Sequence, residues 1–361
     1  MNMSNNPSIP LFDYAVSNPP YQDAGNSAVF HLFQTLADKI AYSTSFIYPA
    51  DKWMTQSGKG AGFDEFSIQQ VQSPFITKLS VYENTELIFP TIALHGGISI
   101  VNKNMNLWND YSPFVESFEQ DGYSSTMMVD TSYIKTLSTS NRMNRFVNKV
   151  MKDYSGKVLN DVLMSSAFYG IDSKYIERSD KWVRDVEYNG EKGFVKILTT
   201  GSSGKGGRVE WFWIPVEDVR KNHDTINSYK VAISPRHAAG YGGRSQHAYI
   251  YGPNMIFGDC RFCVRVFDNF EEADNFMKWM GTDVVRTLIL SSSRRVKNFG
   301  VNVPLLPTFK NEDSEKVNGF DFAMTREELN EYLVKLYSLD EEDRIFMNYV
   351  ISGLGSFESD N

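Results

Sequence analysis

No apolar run in this sequence approaches the roughly 20 residues needed to cross a bilayer, so neither a spanning helix nor a membrane partner is expected. The opening residues, MNMSNNPSIPLF, lack a charged n-region and an apolar h-region, which argues against a secretory signal. Cysteine is scarce. Two in 361 residues cannot make a disulfide framework, and a reducing, cytoplasmic location is the expectation. Positive charge is not in excess either. With 36 Lys and Arg against 44 Asp and Glu, the net charge is −8. That excludes binding to nucleic acid by bulk charge, but leaves room for a local basic cleft. There is no 20–50 residue repeat and no long low-complexity tract. What the chain does have is ordinary globular composition, 42% hydrophobic and 22% charged, with length enough for two domains or three small ones. Aromatics, at 14%, favour a surface that stacks on something planar.

The first hundred residues read as α/β. Phe12–Ser17 is a short apolar run stopped by Asn18-Pro19-Pro20, a strand ending in a rigid turn. Val29, Leu32, Phe33, Leu36, Ala37 and Ile40 recur at helical spacing. Thr44–Tyr48 is a second strand, and Phe63, Phe66 and Val71 suit a short helix after the Gly58–Gly62 loop. Leu87–Leu94 and Ile98–Val101 suggest two strands joined through His95-Gly96-Gly97. Beyond residue 105 the texture changes. Met143, Phe146, Val147, Val150 and Met151 line one helix face, and strands follow at 193–198, 209–214, 228–233, 247–251 and 261–267. One long helix is expected from Phe270 through Leu288, then two terminal helices, the first opened by a Thr325/Glu328 capping box. The expected division is therefore 1–105, 106–310 and 311–361.

Asn18-Pro19-Pro20-Tyr21 is the most informative tetrapeptide. Two consecutive prolines have no backbone N–H, so the loop presents carbonyl oxygens that only accept hydrogen bonds. The Asn18 side chain adds an acceptor and Tyr21 a flat face. Together they suit a planar ring with an exocyclic amino group. The alternative is an ordinary strand-ending turn.

In order and spacing, FDYAVSNPPYQ, SFIYPADKW, GAGFDEF and IFPTIALHGGISIV resemble the catalytic half of amino-methylating DNA methyltransferases. The resemblance is to adenine-specific enzymes of type II (IIG-like) restriction–modification systems. SPRHAAGYGGRSQHAYIYG, RVFDNFEEADNFMKWM and MTREELNEYLVKLYSLDEEDRIF are similar to their target-recognition region, more diffusely. The resemblance implies a partial Rossmann-like methyltransferase sheet, a mixed α+β recognition domain and C-terminal helices. It implies methyl transfer from S-adenosylmethionine to the 6-amino group of an adenine flipped out of double-stranded DNA. Asn18 and Pro19 would hold that amino group, Pro20 would stiffen the loop, and Tyr21 would stack on the base.

One departure is serious. Such enzymes bind the cofactor with a glycine-rich strand–turn–helix, usually placed before this loop, whereas the seventeen residues before Asn18 hold no glycine. Phe168-Tyr169-Gly170, Gly240-Tyr241-Gly242-Gly243 and Gly353-Leu354-Gly355 do not supply it downstream. In such folds the strand feeding the loop lies mid-sheet, so Phe12–Ser17 would have an unpaired edge, which proteins seldom leave bare. A separately encoded cofactor-binding subunit, a second copy of this chain or a rearranged N-terminus would cover it; otherwise the chain is a truncated product.

Weaker candidates remain. Arg142, Arg145, Lys149 and Lys152 share a helical face that suits phosphates or simply water. Arg236, His237, Arg244 and His247 bracket a glycine-rich loop suited to a groove or a DNA backbone. Gly201–Gly207 lacks the spacing of a phosphate loop and reads as a hairpin connection. Cys260 and Cys263, spaced C-x-x-C in what reads as a strand, face opposite sides, so no metal is expected. The leading reading is the catalytic and target-recognition portion of a DNA adenine methyltransferase, needing a partner for its cofactor. Its rival is a catalytically silent DNA-binding or regulatory subunit. RNA or a glutamine side chain would be other acceptors for an Asn-Pro-Pro loop.

Overall fold

The computed structural model describes residues 10–91, 94, 96–165, 167–172, 174–201, 209–234, 248–292, 298–311 and 321–352. The chain divides into two compact units, Met1–Tyr154 and Ser155–Asn361.

The first unit is built on a six-stranded mixed sheet. Strand β1 (Phe12–Ser17), helix α1 (Phe30–Ile40) and strand β2 (Ala41–Pro49) form a βαβ unit with the strands parallel. Helices α2 (Ala50–Met54) and α3 (Phe63–Val71) follow, then β3 (Ile76–Tyr82), β4 (Ile98–Asn104), β5 (Phe114–Phe118), β6 (Ser124–Met128) and α4 (Asn141–Met151). Spatial order is β1-β2-β4-β3-β5-β6, with β4 antiparallel to both neighbours and β3 parallel to β5. Residue 105, where sequence texture changes, thus falls inside this unit.

One sequence expectation fails here for a physical reason. Leu87–Leu94 supplies no strand among its described residues. Asn84 accepts from the Glu86 N–H, Thr85–Leu87 closes as a 3₁₀ turn, and Pro90 has no N–H for a ladder. The partner of β4 is instead β3, whose mixed Ile-Thr-Lys-Leu-Ser-Val-Tyr pattern conceals a strand buried by its position in the sheet.

Helix α1 buries a face that its apolar spacing does not show. The helix forms where the spacing places it, but Leu32, Phe33 and Leu36 are exposed, and Phe30, His31, Gln34 and Ala37 are buried. A polar network explains the inversion. The Lys103 ammonium on β4 contacts Asp38 (2.5 Å) and Gln70 Oε1 (3.3 Å). Gln70 donates to the Tyr48 hydroxyl (2.7 Å), and Gln34 donates to Asp38 (2.7 Å) and Thr44 (3.1 Å). Gln34, Thr44, Tyr48, Gln70 and Lys103 are all buried. Phe30 stacks on Tyr48 at 4.6 Å within the same layer. Burying a lysine without its carboxylate would cost several kcal/mol, so α1 must turn its polar face inward.

In the second unit, α5 (Tyr175–Arg178) precedes β7 (Val183–Arg184), β8 (Phe194–Thr200), β9 (Val209–Pro215), β10 (Tyr229–Ile233), β11 (Ala248–Tyr251), β12 (Met255–Phe257) and β13 (Phe262–Phe267). They make two sheets, β12-β8-β9-β7 and β11-β10-β13. Their shared core includes Tyr169, Ile197, Phe212, Ile214, Tyr251 and Phe257. Lys230 is fully buried, and its ammonium donates to the carbonyls of Ile226, Ser228 and Gly252, tying the entry of β10 to the turn after β11. The helix expected over 270–288 is two, α6 (Phe270–Met280) and α7 (Asp283–Leu290), because the Thr282 side chain caps a new start by accepting from Val285 N–H. The terminal helices α8 (Arg326–Leu336) and α9 (Glu341–Ser352) form as expected, α8 with its Thr325/Glu328 capping box. The fold is therefore mixed α/β with mixed sheets.

Replacing Lys103 with Met should lower unfolding stability by about 3 kcal/mol, because half-buried Asp38 loses its cation. Adding Asp38→Leu should restore most of that loss in a urea titration. A loss under about 0.5 kcal/mol for the single change would show that the network does not orient α1.

Candidate functional site

Strand register places five chain segments on one rim of the first sheet. Ser17 pairs with Phe46, Pro49 with Ile98, Tyr82 with Ile98 and with Phe118. The C-terminal ends of β1, β2, β3 and β5 therefore meet the start of β4. Asn18-Pro19-Pro20-Tyr21 leaves β1 on this rim. Asn18 and Pro20 are exposed, Pro19 is buried and Tyr21 half-buried. The Tyr21 carbonyl accepts from Val29 N–H (3.2 Å), and Gln22 bridges to Ala28. Between them the Asp23 carboxylate accepts from Gly25 and Ser27 N–H, closing the turn into α1. The Tyr21 hydroxyl is buried and finds no hydrogen-bond partner, and burial raises its pKa.

The other motif segments converge on the same rim. Ala28 N–H donates to the Lys59 carbonyl (2.7 Å), and His31 Nε2 meets the Ala61 carbonyl (3.1 Å). A carbonyl only accepts, so the His31 proton sits on Nε2, and its buried Nδ1 has no partner. Phe63 packs edge-on against Phe30 and His31. At the end of β2, Ala50 and Asp51 N–H donate to the Gly97 and Gly96 carbonyls (3.0 and 3.2 Å). Gly96 has φ +94°, and a Cβ there would lie 2.2 Å from the Asp51 carboxylate carbon. Gly97 has φ +75°, with the Tyr82 carbonyl 2.6 Å from where its Cβ would be. Glycine is required at both, which fixes buried Asp51 beside β4.

Farther along the rim, Glu83 accepts from Thr139 (2.6 Å) and Gln120 N–H (3.0 Å). Arg142 is committed here. Its guanidinium holds Glu119 and Asp121 and lies 4.4 Å over the Tyr123 ring, tying α4 to the sheet. A phosphate would have to displace two carboxylates to reach it. Arg145 and Lys149 are half-buried on the same helix, apart from the buried Met143, Phe146, Val147 and Val150. Arg236, His237, Arg244 and His247 lie outside the described residues, as do Ile92, Ala93 and His95 of the HGG segment and residues 202–208.

The outer edge of β1 pairs with no described strand. Phe12, Tyr14 and Val16 on it are 54%, 68% and 76% exposed. Leu32, Phe33 and Leu36 on α1 point outward as well. Sequence reasoning foresaw the bare strand and missed the helix face. The polar positions Gln34 and Asp38, opposite that stripe, were the available signal.

Cys260 is in the turn before β13, not on the strand, and its thiol donates to the Leu198 carbonyl; Cys263 is fully buried on β13. Among the described residues no group of three or more His, Cys, Asp or Glu could hold a metal.

No protein-family model matches the chain, and no curated protein matches it. Among solved structures it is similar to the Type IIL restriction-modification enzyme MmeI in complex with DNA, at 9% identity and a TM-score of 0.38. The match covers 95% of this chain and 55% of that one, so this chain spans about half the length of that enzyme. A likeness at that TM-score carries no argument about fold or activity.

Burial pushes the Cys260 thiol up to about 11 and the Cys263 thiol up to about 12. Both should resist thiol reagents at pH 8 in the folded chain and react in denaturant. Because the unfolded thiols ionise first, stability should be constant below the ordinary thiol value of 9.0 and fall as pH rises from there towards 11 and 12. A Cys260 that reacts at pH 8 as fast in the folded chain as in denaturant would contradict the burial argument.

Proposed function

We propose that this chain is the catalytic and target-recognition portion of a DNA adenine 6-amino methyltransferase, completed by a partner that brings S-adenosylmethionine. One observation carries the reading: the Asn-Pro-Pro-Tyr loop leaves an edge strand on the rim where the other motif segments converge. Asn18 is exposed there, and the Tyr21 hydroxyl is buried without a partner. Such an orphan costs about 1–3 kcal/mol, and costs of that kind persist at functional sites.

The work asked of these residues is positional. The Asn18 side-chain oxygen and the Pro19 carbonyl accept from the two N–H groups of an exocyclic amine. Holding both donors out of the ring plane weakens conjugation and frees the nitrogen lone pair, without a strong base. Tyr21 stacks on the extruded base and returns part of the few kcal/mol spent on flipping. The cation-bearing surfaces of the chain hold the duplex.

The uncovered side of the first unit suits a partner. An unpaired parallel strand with Phe12, Tyr14 and Val16 exposed, next in sequence to a helix with an outward apolar stripe, suits strand addition by a subunit with its own sheet and an apolar face. A second copy of this chain is the competing occupant, and sedimentation of the chain alone separates the two.

In cells expressing the chain with its flanking genes, Asn18→Ala should reduce transfer of labelled methyl groups to duplex DNA at least 100-fold. Duplex affinity should stay within about twofold, since Asn18 contributes no charge. Activity that survives the change overturns the catalytic assignment. Leu36→Glu should leave the melting temperature within a few degrees, because Leu36 is exposed, and should abolish co-purification of the completing subunit. Intact assembly in that variant would place the interface elsewhere.

A further inference from the structure

Arg261, in the turn before β13, is held in an unusual way for a surface arginine. Its Nε donates to the Tyr251 hydroxyl (3.1 Å), and its Nη1 donates to the Cys260 carbonyl (3.1 Å). The guanidinium carbon lies 4.8 Å from the centre of the Tyr249 ring. Tyr251 is itself buried against Phe257 (4.8 Å) and Trp211 (5.9 Å). Two contacts to aromatic side chains and one to a backbone carbonyl therefore fix the plane of the cation. No described carboxylate pairs with it, although Asp259 is two residues away. Arg142, Arg178 and Arg344, by contrast, each hold a carboxylate.

The anchors leave N–H donors unspent on both Nη1 and Nη2, and the residue remains partly exposed. A charged fork held flat, with one edge free and no counter-ion, fits an oxyanion with two oxygens at the spacing of a carboxylate or phosphate. Its surroundings narrow the choice. Arg261 adjoins the end of β10 and the start of β11, where Ile233 pairs with both Phe262 and Ala248. Lys196 lies 5.1 Å over the Trp211 ring on the adjoining sheet, partly neutralised by Asp185 at 2.9 Å. Arg261 is thus a cation without a described counter-ion on a chain of net −8, and an acidic protein admits a polyanion through such local sites.

We propose that Arg261 is a phosphate anchor, receiving one phosphodiester of a DNA duplex on the free edge of its guanidinium. The assignment rests on the DNA-binding part of the reading above and names a residue which that reading does not. A base-reading role is disfavoured by geometry. An arginine that keeps its hold on Tyr251 and Cys260 lies along the sheet surface and cannot extend its fork into a groove.

The test is equilibrium binding of fluorescent duplexes of several sequences to the full chain across a salt series. Wild type, Arg261→Gln and Arg261→Lys would be compared, with a thermal melt of each. Arg261→Gln should weaken binding to every duplex about five- to tenfold at low salt and reduce the slope of log K against log salt by about one. Its deficit should then shrink roughly threefold between 50 and 200 mM salt. Arg261→Lys should keep the wild-type slope, because the charge is retained. A glutamine variant with wild-type affinity and slope overturns the proposal. So does a lysine variant that loses as much slope as the glutamine one, or a loss confined to one sequence with the slope unchanged, the mark of a base contact. A wild-type chain that binds no duplex overturns the DNA-binding reading and this one together, whereas binding by wild type with an unaffected glutamine variant overturns only this one.

Discussion

The Lys103 ammonium decides how the first unit is arranged. It is buried on a central strand of the sheet, and the groups able to satisfy it are Asp38 on α1 and Gln70 on α3. Once α1 must deliver Asp38 and Gln34 to the sheet, the helix has no freedom to rotate. Its leucines and phenylalanine go outward, while Phe30 and His31 go inward against Tyr48 and Phe63. The chain entering α1 is the segment carrying Asn18–Tyr21, so the same constraint fixes where that loop ends. A polar contact of this kind adds little net stability compared with an apolar pair. Its effect is on orientation, and the uncovered apolar side of the unit follows from it.

The rim is built by exclusion rather than by added contacts. Gly96 and Gly97 are there because any side chain would strike Asp51 or the Tyr82 carbonyl. The two prolines after Asn18 remove backbone donors, and the Asp23 turn satisfies its own N–H groups. The backbone is thus largely settled without drawing on Asn18, which stays exposed, or on the Tyr21 hydroxyl, which stays unsatisfied. A site that keeps its acceptors unspent while its frame is rigid meets the general requirement for orienting a small polar group.

Where local rules act alone, the elements were legible. Phe12–Ser17 is a strand with the expected bounds, and the Thr325/Glu328 pair opens its helix. Five of the six described strands over 194–267 lie within a residue or two of their apolar runs, and the three-residue β12 was not foreseen. Elements decided by partners were not. The helical period of α1 was visible, but not which face would be buried, because Lys103 is 65 residues from Asp38. Strand β3 is buried by its neighbours more than by its composition. The break at Gly281–Thr282 was hidden by a hydrophobic period that continues across it, with the capping threonine the one cue. At the site, Asn18 to Tyr21 stood out by chemistry. Asp51, Arg261 and the outward stripe of α1 did not, since each depends on something distant in sequence.

The bare edge of β1 has a consequence for how the protein is kept in a cell. An unpaired strand flanked by exposed aromatic and aliphatic side chains is the surface that chaperones retain and proteases sample. On the proposed partnership, a molecule made without its complement would show that surface continuously, and one that had found its complement would hide it. Abundance would then follow the scarcer member of the pair rather than the rate at which this chain is translated. Surplus would be cleared or would aggregate through the same six residues, Phe12–Ser17. Stoichiometry would be enforced after synthesis by a strand of ordinary length left on the outside of its sheet.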